Sequence, residues 1–571
     1  MSIFRSIYKK AWLPVALLIL VSLNWAASVW HSRLDFTDEK RFTLSHPTRK
    51  LLRNIKEPVT IDVFLKGNYP SGFKKLASST ADILQEFKEV AGARVRFNFK
   101  SLEDVVPGTG VTYNDTLPAL GFNYINLTSQ VEQGQQQQVV YPIALVYDGN
   151  DTIPVTIFEK KAVADPSFKN RITSGELNSA EATLEYKFAD AISKISRETR
   201  PIVGYAIGNG EPVQINTYDL VENILRPEYD VFTFDPNSQP RIPEDFKVLM
   251  VVKPAQGFSE EAKLKLDQYV MGGGKLLMFV DRLNAELDSL QKGEVVAYDR
   301  ELNLNDLLFK YGVRINPDLV MDLQCDFLPF DVNGNGQFEL LPWNYFPVLE
   351  SPSNNPINKN LGFVAGRFVN SIDTIETEGI KKTILLTSSP NARTIATPAI
   401  ISGKENSVEP ENAKYNKPHI PVAVLLEGKF SSLYANRVTQ AMNDSITKYG
   451  ATFIPQSGDN KMVIVSDGDI VLNSVIKGEP IPMGMNPYTY GTQRAFPFAN
   501  KDFIQNCLDY LINENDLSEA KSKDYVVRLL DSKKVEEEKK KWQLINIGLP
   551  VLLVLLFAFI FQWLRKRRYT K

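Results

Sequence analysis

Four polar side chains that follow predicted strands have the types and spacing of a ligand site. Asn209 and Glu211 stand in GNGEP, directly after the apolar run IVGYAI. Asp467 and Asp469 stand at the end of a second apolar run, VIVS. Ligands of open α/β sheets bind at the carboxyl ends of the strands, so we expect these four residues at one sheet edge. Paired carboxylates there could bind a cation or serve as acid and base, although the same residues also cap helices and shape turns.

Cys325 and His419 are the second candidate for chemistry. Cys325 ends the apolar run LVMDLQC, and His419 is the nearest histidine in the sequence. A catalytic thiol needs a base within hydrogen-bond reach, and nothing in the spacing brings these two residues together. A buried structural cysteine is the alternative, and we expect no catalytic residue. Three histidines and no Cys-x-x-Cys also make a zinc site of usual composition unexpected.

Two further stretches partly match the sequence motifs of ion-binding loops. In YVMGGGKLLMFVD (269–281) a helical pattern precedes the glycines and a strand pattern follows them. That order is the reverse of a phosphate loop, so Gly272–Gly274 is predicted to end a helix. DVNGNGQFE begins like a calcium loop at Asp331, but Pro342 stands where the twelfth position requires glutamate. We therefore expect no metal and no cofactor.

Length and charge restrict the class of protein. A chain of 571 residues is long enough for two to four domains, and its formal net charge of −2 gives no overall attraction to nucleic acid. Two cysteines cannot form a disulfide framework, so they indicate no particular redox compartment.

Both ends of the chain carry an uncharged apolar run long enough to cross a bilayer, at 11–30 and 544–564. The first could instead be a cleaved signal peptide, but its apolar stretch is longer than most such segments. Basic residues precede the first run and fill the tail 565–571, so both termini are predicted to be cytoplasmic. Residues 31–543 are then predicted to be periplasmic, anchored in the inner membrane by two spans.

Small residues within the two spans mark where another helix could approach closely. We expect these contact points with membrane partners at Ala26, Ala27, Ser28, Gly548 and Ala558.

Strand and helix patterns alternate through the predicted periplasmic part and indicate two α/β domains. In the first, strands at 59–65 and 94–100 flank a helix, and the glutamine-rich 132–138 is predicted to be a loop. In the second, strands at 202–207, 247–252 and 275–280 alternate with helices, which favours a doubly wound parallel sheet. The predicted segments are a cytoplasmic terminus 1–10, a span 11–30, a first domain 31–199, a second domain 200–515 with an insertion at about 285–460, a stalk 516–543, a span 544–564 and a basic tail 565–571.

Several segments, taken in order, resemble a known family. They are FTDEKRFTLSHPTRKLL, DQYVMGGGKLLMFVD, LLFKYGVRINPDLVMD, KKTILLTSSP, PVAVLLEGKFSSLY and RLLDSKKVEEEKKKWQLINIGLPVLL. Together they resemble the GldG family, the gliding-motility-associated auxiliary components of ABC transporters in gliding Bacteroidota. The resemblance covers essentially the whole chain and depends on the order of the segments.

This resemblance implies particular partners and folds. It implies a separate membrane permease and a separate cytoplasmic ATPase, and a second domain similar to flavodoxin-type glutamine amidotransferases without their nucleophile. The first domain is expected to be thioredoxin-like or similar. We therefore expect a non-enzymatic transporter partner; a membrane-anchored hydrolase or amidotransferase and a solute receptor are the alternatives.

Overall fold

The structure is a computed structural model that describes residues 43–159, 172–287, 294–402, 410–440, 452–512 and 532–569. Within these ranges the structure does not describe residues 68, 123, 132–133, 150, 332–334 and 493. Outside them it describes residues 14, 17–22, 24, 444, 517 and 520. The helices of the main ranges are α1 His46–Asn54, α2 Ser71–Ala91, α3 Tyr113–Ala119, α4 Ser174–Ile195, α5 Glu260–Met271, α6 Asn305–Tyr311, α7 Asn500–Ile512 and α8 Ser532–Tyr569.

The strands as far as the middle of the chain are β1 Val59–Val63, β2 Val95–Phe99, β3 Ile125–Val131, β4 Gly134–Val140, β5 Ile143–Tyr147, β6 Thr152–Thr156, β7 Ile202–Ala206, β8 Asp230–Phe234, β9 Phe246–Val252, β10 Lys275–Phe279, β11 Leu283–Asn284 and β12 Glu294–Asp299. The later strands are β13 Val313–Ile315, β14 Asp318–Asp322, β15 Cys325–Phe330, β16 Glu339–Leu349, β17 Val364–Ala365, β18 Ile372–Thr374, β19 Ile380–Thr387, β20 Ala392–Ala396, β21 Ala399–Ser402, β22 Pro421–Ser431, β23 Gln456–Val465, β24 Val475–Ile476 and β25 Glu479–Pro480.

The first α/β part contains a mixed four-stranded sheet in the order β2-β1-β5-β6. β1 and β2 are parallel, whereas β5 is antiparallel to both β1 and β6. The apolar positions of α2 recur at helical spacing and are buried, and Thr173 and Glu176 form a capping box at the start of α4. The glutamine run differs from the prediction, because Gly134–Val140 pairs with Ile125–Val131 as a hairpin.

The second α/β part contains a seven-stranded sheet in the order β19-β22-β23-β10-β9-β7-β8. The strands from β23 to β8 are parallel, and β22 is antiparallel to β23 and β19. The segment predicted as an insertion, about 285–460, therefore supplies two strands of this sheet. The physical reason is the run Val422–Leu426, which is buried on both faces as a central strand requires.

α8 is one continuous helix from Ser532 to Tyr569, and Lys541–Arg567 is long and apolar enough to cross a membrane, with a hydropathy of 2.7. It contains the predicted span 544–564. Of the predicted span 11–30, residues 17–22 are helical. Ala26, Ala27 and Ser28 lie outside the described residues.

Gly548 and Ala558 both lie within α8. A methyl group added at Gly548 would meet no described atom within 4 Å beyond the nearby backbone of α8 itself. The two residues are ten positions apart, which rotates them by roughly 80° around the helix axis. They therefore lie on different sides of α8.

A buried ion cluster joins α4 to the second sheet. The Lys194 Nζ atom on α4 lies 2.7 Å from Asp190 Oδ2, 2.7 Å from Glu228 Oε2 and 3.3 Å from Asp509 Oδ1 on α7. One cation thus faces three carboxylates. Burial raises the pKa of Asp190 to about 6, although Lys194 acts in the opposite direction and Asp509 and Glu228 reinforce the rise.

We expect Asp190→Asn to stabilise the protein relative to the native chain more strongly at pH 7.5 than at pH 4.5. When the pKa of a carboxyl is higher in the folded state than in the unfolded chain, rising pH removes its proton from the unfolded chain first. The native chain therefore loses stability as pH rises from about 4 to about 6, whereas the asparagine variant lacks this loss. Urea unfolding at the two pH values measures the difference, and an equal difference at both would contradict the assignment.

Candidate functional site

The carboxyl ends of the parallel strands β7, β9, β10 and β23 share one edge of the second sheet. Lys253 follows β9 directly, with the left-handed backbone angle φ of 44°. Asp281 stands two residues after β10, and Asp467 two residues after β23. The parallel register therefore brings a cation between carboxylates that are distant in sequence.

Lys253 is the centre of a charge network at this edge. Its Nζ atom lies 2.7 Å from Asp469 Oδ1, 3.0 Å from Glu286 Oε2 and 3.4 Å from Asp281 Oδ2. Only 8% of the Lys253 side chain is exposed. The Arg300 guanidinium also donates to Glu286. The network thus places two cations among three carboxylates.

Backbone contacts hold the β23 loop against this network. The Gly468 N–H donates to Asp281, and a side chain at Gly468 would place its Cβ 2.5 Å from the Lys253 Cβ. Asp467 accepts the backbone N–H of Asp469 at 2.8 Å and that of Arg367 at 2.8 Å. Glycine is therefore required where Lys253 passes the loop.

Burial sets the protonation behaviour of the carboxyl groups here. It raises the pKa of Asp281 to about 6, although Lys253 acts in the opposite direction. It raises the pKa of Asp467 well above its usual range, and the nearby Asp469 and Asp281 reinforce the rise. Burial alone would lower the pKa of Lys253, but the carboxylates outweigh it and raise that pKa. Lys253 therefore carries its charge at neutral pH.

Asn209 and Glu211 lie in the loop after β7 and form a separate cluster. The Asn209 N–H donates to Glu211 Oε2 at 2.7 Å, and the Asn209 carbonyl accepts the N–H groups of Ala255 and Gln256. Glu211 is only 7% exposed, and its Oε1 atom has no hydrogen-bond partner among the described residues. Burial raises the pKa of Glu211.

The four predicted site residues thus form two pairs. Within the described ranges, no hydrogen bond or ion pair joins Asn209 or Glu211 to Asp467 or Asp469. At the Asp469 end, Lys253 occupies the place where a bound cation would neutralise the carboxylates. No group of three or more metal-binding side chains occurs in the part of the chain that the structure describes.

Neither cation of the network was predicted from the sequence, and two of its three carboxylates, Asp281 and Glu286, were not predicted either. Lys253 and Asp281 each follow a predicted strand, as Asp467 does. The expectation that ligand sites lie at the carboxyl ends of strands therefore applies to them as well. Glu286 and Arg300 carry no such signal, because their approach depends on how the chain returns to the edge after β10.

Cys325 and His419 do not form a catalytic pair in the described structure. The Cys325 Sγ atom lies 3.5 Å from Asn344 Oδ1 and 3.7 Å from the Leu323 carbonyl. The backbone N–H of His419 donates to the Ser389 carbonyl, and no contact joins His419 to Cys325 among the described residues. Burial raises the pKa of Cys325 well above that of a free thiol, and the nearby Asp322 and Asp326 add to the rise. A nucleophilic thiol requires the opposite shift.

We expect iodoacetamide to label Cys325 more slowly in the folded chain than in urea at pH 8, because a raised pKa leaves little thiolate. The measurement uses the Cys507→Ser variant, so that Cys325 is the only thiol. Faster labelling in the folded chain would indicate an activated nucleophile.

The two stretches that partly match ion-binding motifs, at Gly272–Gly274 and at Asp331, form turns. α5 ends at Met271, Gly273 has a φ of 95°, and a side chain at Gly274 would collide with the Tyr269 ring. This confirms the predicted helix end. The Asp331 carboxylate accepts the N–H groups of Asn335 and Gly336, between β15 and β16.

Comparison with known proteins places this sheet in a family. Residues 200–507 match the family described as an ABC-type uncharacterized transport system, and residues 38–147 match a domain of unknown function. An uncharacterized protein of Borreliella burgdorferi is 19% identical over 578 residues, covering 97% of each chain.

The similarity to solved structures is weak. The mmIFT52 N-terminal domain is 12% identical with a TM-score of 0.30, over 55% of this chain and 97% of that domain. The exo-β-1,4-mannosidase Op5Man5 from Opitutaceae bacterium strain TAV5 is 11% identical with a TM-score of 0.20, over 71% of this chain and 47% of that enzyme. Neither score supports an inference. The match across residues 200–507, in contrast, spans more than half of the chain, and the protein belongs to this family of ABC-type transport system auxiliary components.

Proposed function

We propose that this protein is a non-enzymatic auxiliary subunit of an ABC transporter complex, similar to the gliding-motility subunit, and that its partners are a permease and a cytoplasmic ATPase. The observation that carries the proposal is the family match over the sheet whose carboxyl-end edge holds the Lys253 network. An enzyme of this fold class would need that edge for substrate. Here the ammonium of Lys253 lies among the carboxylates of Asp281, Glu286 and Asp469 at that edge.

The proposed architecture has two periplasmic α/β domains between two spans, with both termini cytoplasmic. A β-α-β unit followed by an antiparallel pair in one sheet supports a thioredoxin-like first domain. The five parallel strands from β23 to β8 support a flavodoxin-type second domain. We keep 1–10, 31–199, 200–515, 516–543 and 565–571 as the proposed boundaries outside the spans.

The aromatic residues of α8 support its placement in the inner membrane. Trp542 and Trp563 are 21 positions apart, which corresponds to about 31 Å along a helix and matches the bilayer core. Trp542 Nε1 donates to Glu538 at 2.9 Å, and the Arg567 guanidinium lies 4.3 Å from the centre of the Trp563 ring. Both tryptophans are therefore next to polar groups, as residues at a membrane interface should be.

A second candidate function is a solute receptor, and one atom favours it. The partnerless Oε1 of Glu211 is a buried acceptor that a donor on a ligand could satisfy. In that case Asn209 and Glu211 would form one part of the site, and Asp467 and Asp469 the other. A solute that raises the melting temperature of the native chain but not of Glu211→Gln would support this function.

Reporter fusions test the proposed location. A fusion near residue 300 should be active only as a periplasmic reporter, and a fusion at Lys571 only as a cytoplasmic one, because basic residues at both termini stay inside. A cytoplasmic signal from residue 300 would refute the topology.

Replacement of the spans tests how the partners are held. We propose that the permease packs on 11–30 and 544–564, with Ala26, Ala27, Ser28, Gly548 and Ala558 as contact points. A chimera with unrelated apolar helices of equal length should lose most of the permease and ATPase that co-purify with the native chain. Equal recovery would show that the outer domains carry assembly and that the spans only anchor them.

A further inference from the structure

A cleft of about 500 Å³ lies along α6 in the second α/β part. Its volume falls within the range of small-molecule sites, about 300–1,000 Å³. The side chains that line it are mostly cationic or apolar. They are Arg282, Asn305, Asp306, Phe309, Lys310, Arg314, Leu433 and Arg437.

Asp306 and Arg314 are two of the three charged lining residues that are already neutralised; the third is Arg282, which pairs with Asp299. Both oxygens of Asp306 lie 2.9 Å from the Lys263 Nζ atom. The Arg314 guanidinium lies 2.6 Å from Asp373 Oδ2. Neither residue leaves a net charge for a ligand to compensate.

Arg282 is held rigidly at the wall of the cleft. Its guanidinium donates to Asp299 Oδ2 at 3.0 and 2.9 Å and to the Ile315 carbonyl at 2.5 Å. Its backbone N–H donates to Asn370 Oδ1 at 2.8 Å. A guanidinium fixed in this way is oriented before a ligand arrives, which lowers the entropic cost of binding.

Lys310 and Arg437 give the cleft its excess positive charge. Both side chains are exposed, and no carboxylate among the described residues forms an ion pair with either. With the other charges paired, these two leave a net charge of roughly +2 for the lining. A bound anion would neutralise the positive charges of both side chains.

Phe309 gives the cleft an apolar wall. Its neighbours Leu307 and Leu308 are buried against the core, whereas 51% of Phe309 is exposed beside the partly buried Leu433. An exposed ring next to cations can contact the apolar part of a ligand whose anionic group the cations bind.

We propose that this cleft binds a small ligand that joins an anionic phosphate or carboxylate group to an aromatic or aliphatic group. Lys310 and Arg437 bind the anion, Arg282 orients it, and Phe309 and Leu433 contact the apolar part. The inference is independent of the proposed function, since the cleft is built from this chain alone.

Equilibrium dialysis of the full chain in detergent tests the proposal, with phenyl phosphate, benzoate and inorganic phosphate as probes. We expect saturable binding of phenyl phosphate or benzoate, and the stronger of the two identifies the anionic group. Lys310→Gln combined with Arg437→Gln should weaken that binding about tenfold, since charge-assisted hydrogen bonds are lost. Phe309→Ala should weaken the two aromatic probes more than inorganic phosphate.

The matched control is Lys88→Gln combined with Lys429→Gln, which removes the same charge from exposed positions outside the cleft. This pair should bind the probes as the native chain does. The proposal is overturned if neither aromatic probe binds saturably at millimolar concentration, or if the control pair loses as much affinity as the cleft pair.

Discussion

Lys253→Met is expected to lower the free energy of unfolding by about 3–5 kcal/mol, because removing one partner of a buried ion pair leaves the other charges uncompensated. The carboxylates of Asp281, Glu286 and Asp469 would lose the ammonium that neutralises them. Methionine has a similar length, so the loss reflects charge more than a cavity. Urea unfolding of the full chain at pH 7.5 measures the change.

Lys381→Met is the matched control for this variant. Lys381 lies 3.9 Å from Glu427, but 74% of its side chain is exposed. Water screens such pairs, so we expect a change of less than about 1 kcal/mol. A comparable loss in both variants would mean that the Lys253 network does not hold the sheet edge together.

Leu552→Arg combined with Leu553→Arg is expected to prevent stable insertion of α8. Both residues lie midway between Trp542 and Trp563, at the centre of the predicted bilayer crossing. Each arginine there costs about 2.5–3.5 kcal/mol, or about 5–7 kcal/mol for the pair. A reporter fused at Lys571 should then move from the cytoplasm to the periplasm.

Leu552→Ala combined with Leu553→Ala provides the control, since it shortens the same side chains without adding charge. This pair should leave the reporter in the cytoplasm. A reporter that stays cytoplasmic in the arginine variant as well would show that α8 does not cross the membrane at this depth.

Local signals in the sequence predicted much of this fold correctly. The end of α5 follows from Gly272–Gly274, because positive φ and the close approach of Tyr269 both exclude a side chain. Non-local pairing was harder to predict. β22 was assigned to an insertion because its flanks are rich in proline and asparagine, but the buried run Val422–Leu426 pairs with β23. Strand pairing across long loops leaves no short-range pattern.

In the candidate site, too, local sequence signals predicted some residues, whereas contacts between distant residues were not predicted. Polar residue types after a predicted strand indicated Asp467 and Asp469, and Lys253 and Asp281 follow the neighbouring strands in the same way. The sequence pattern does not show that Lys253 lies 2.7 Å from Asp469, because that distance depends on its left-handed backbone and on the glycine opposite it. Residue types predicted a polar edge; only the geometry shows that a lysine pairs with its carboxylates.

Purification of the tagged chain from its native membrane tests the central claim most directly. Mass spectrometry of what co-purifies should identify a polytopic permease and an ATPase with a phosphate-binding loop, in amounts comparable to the tagged chain. The glycine-rich stretch 269–281 is a helix end and not a phosphate loop, so the proposed function assigns ATP hydrolysis to such a partner. Recovery of the chain alone, or with neither transporter subunit above the level in an untagged control, would contradict the account.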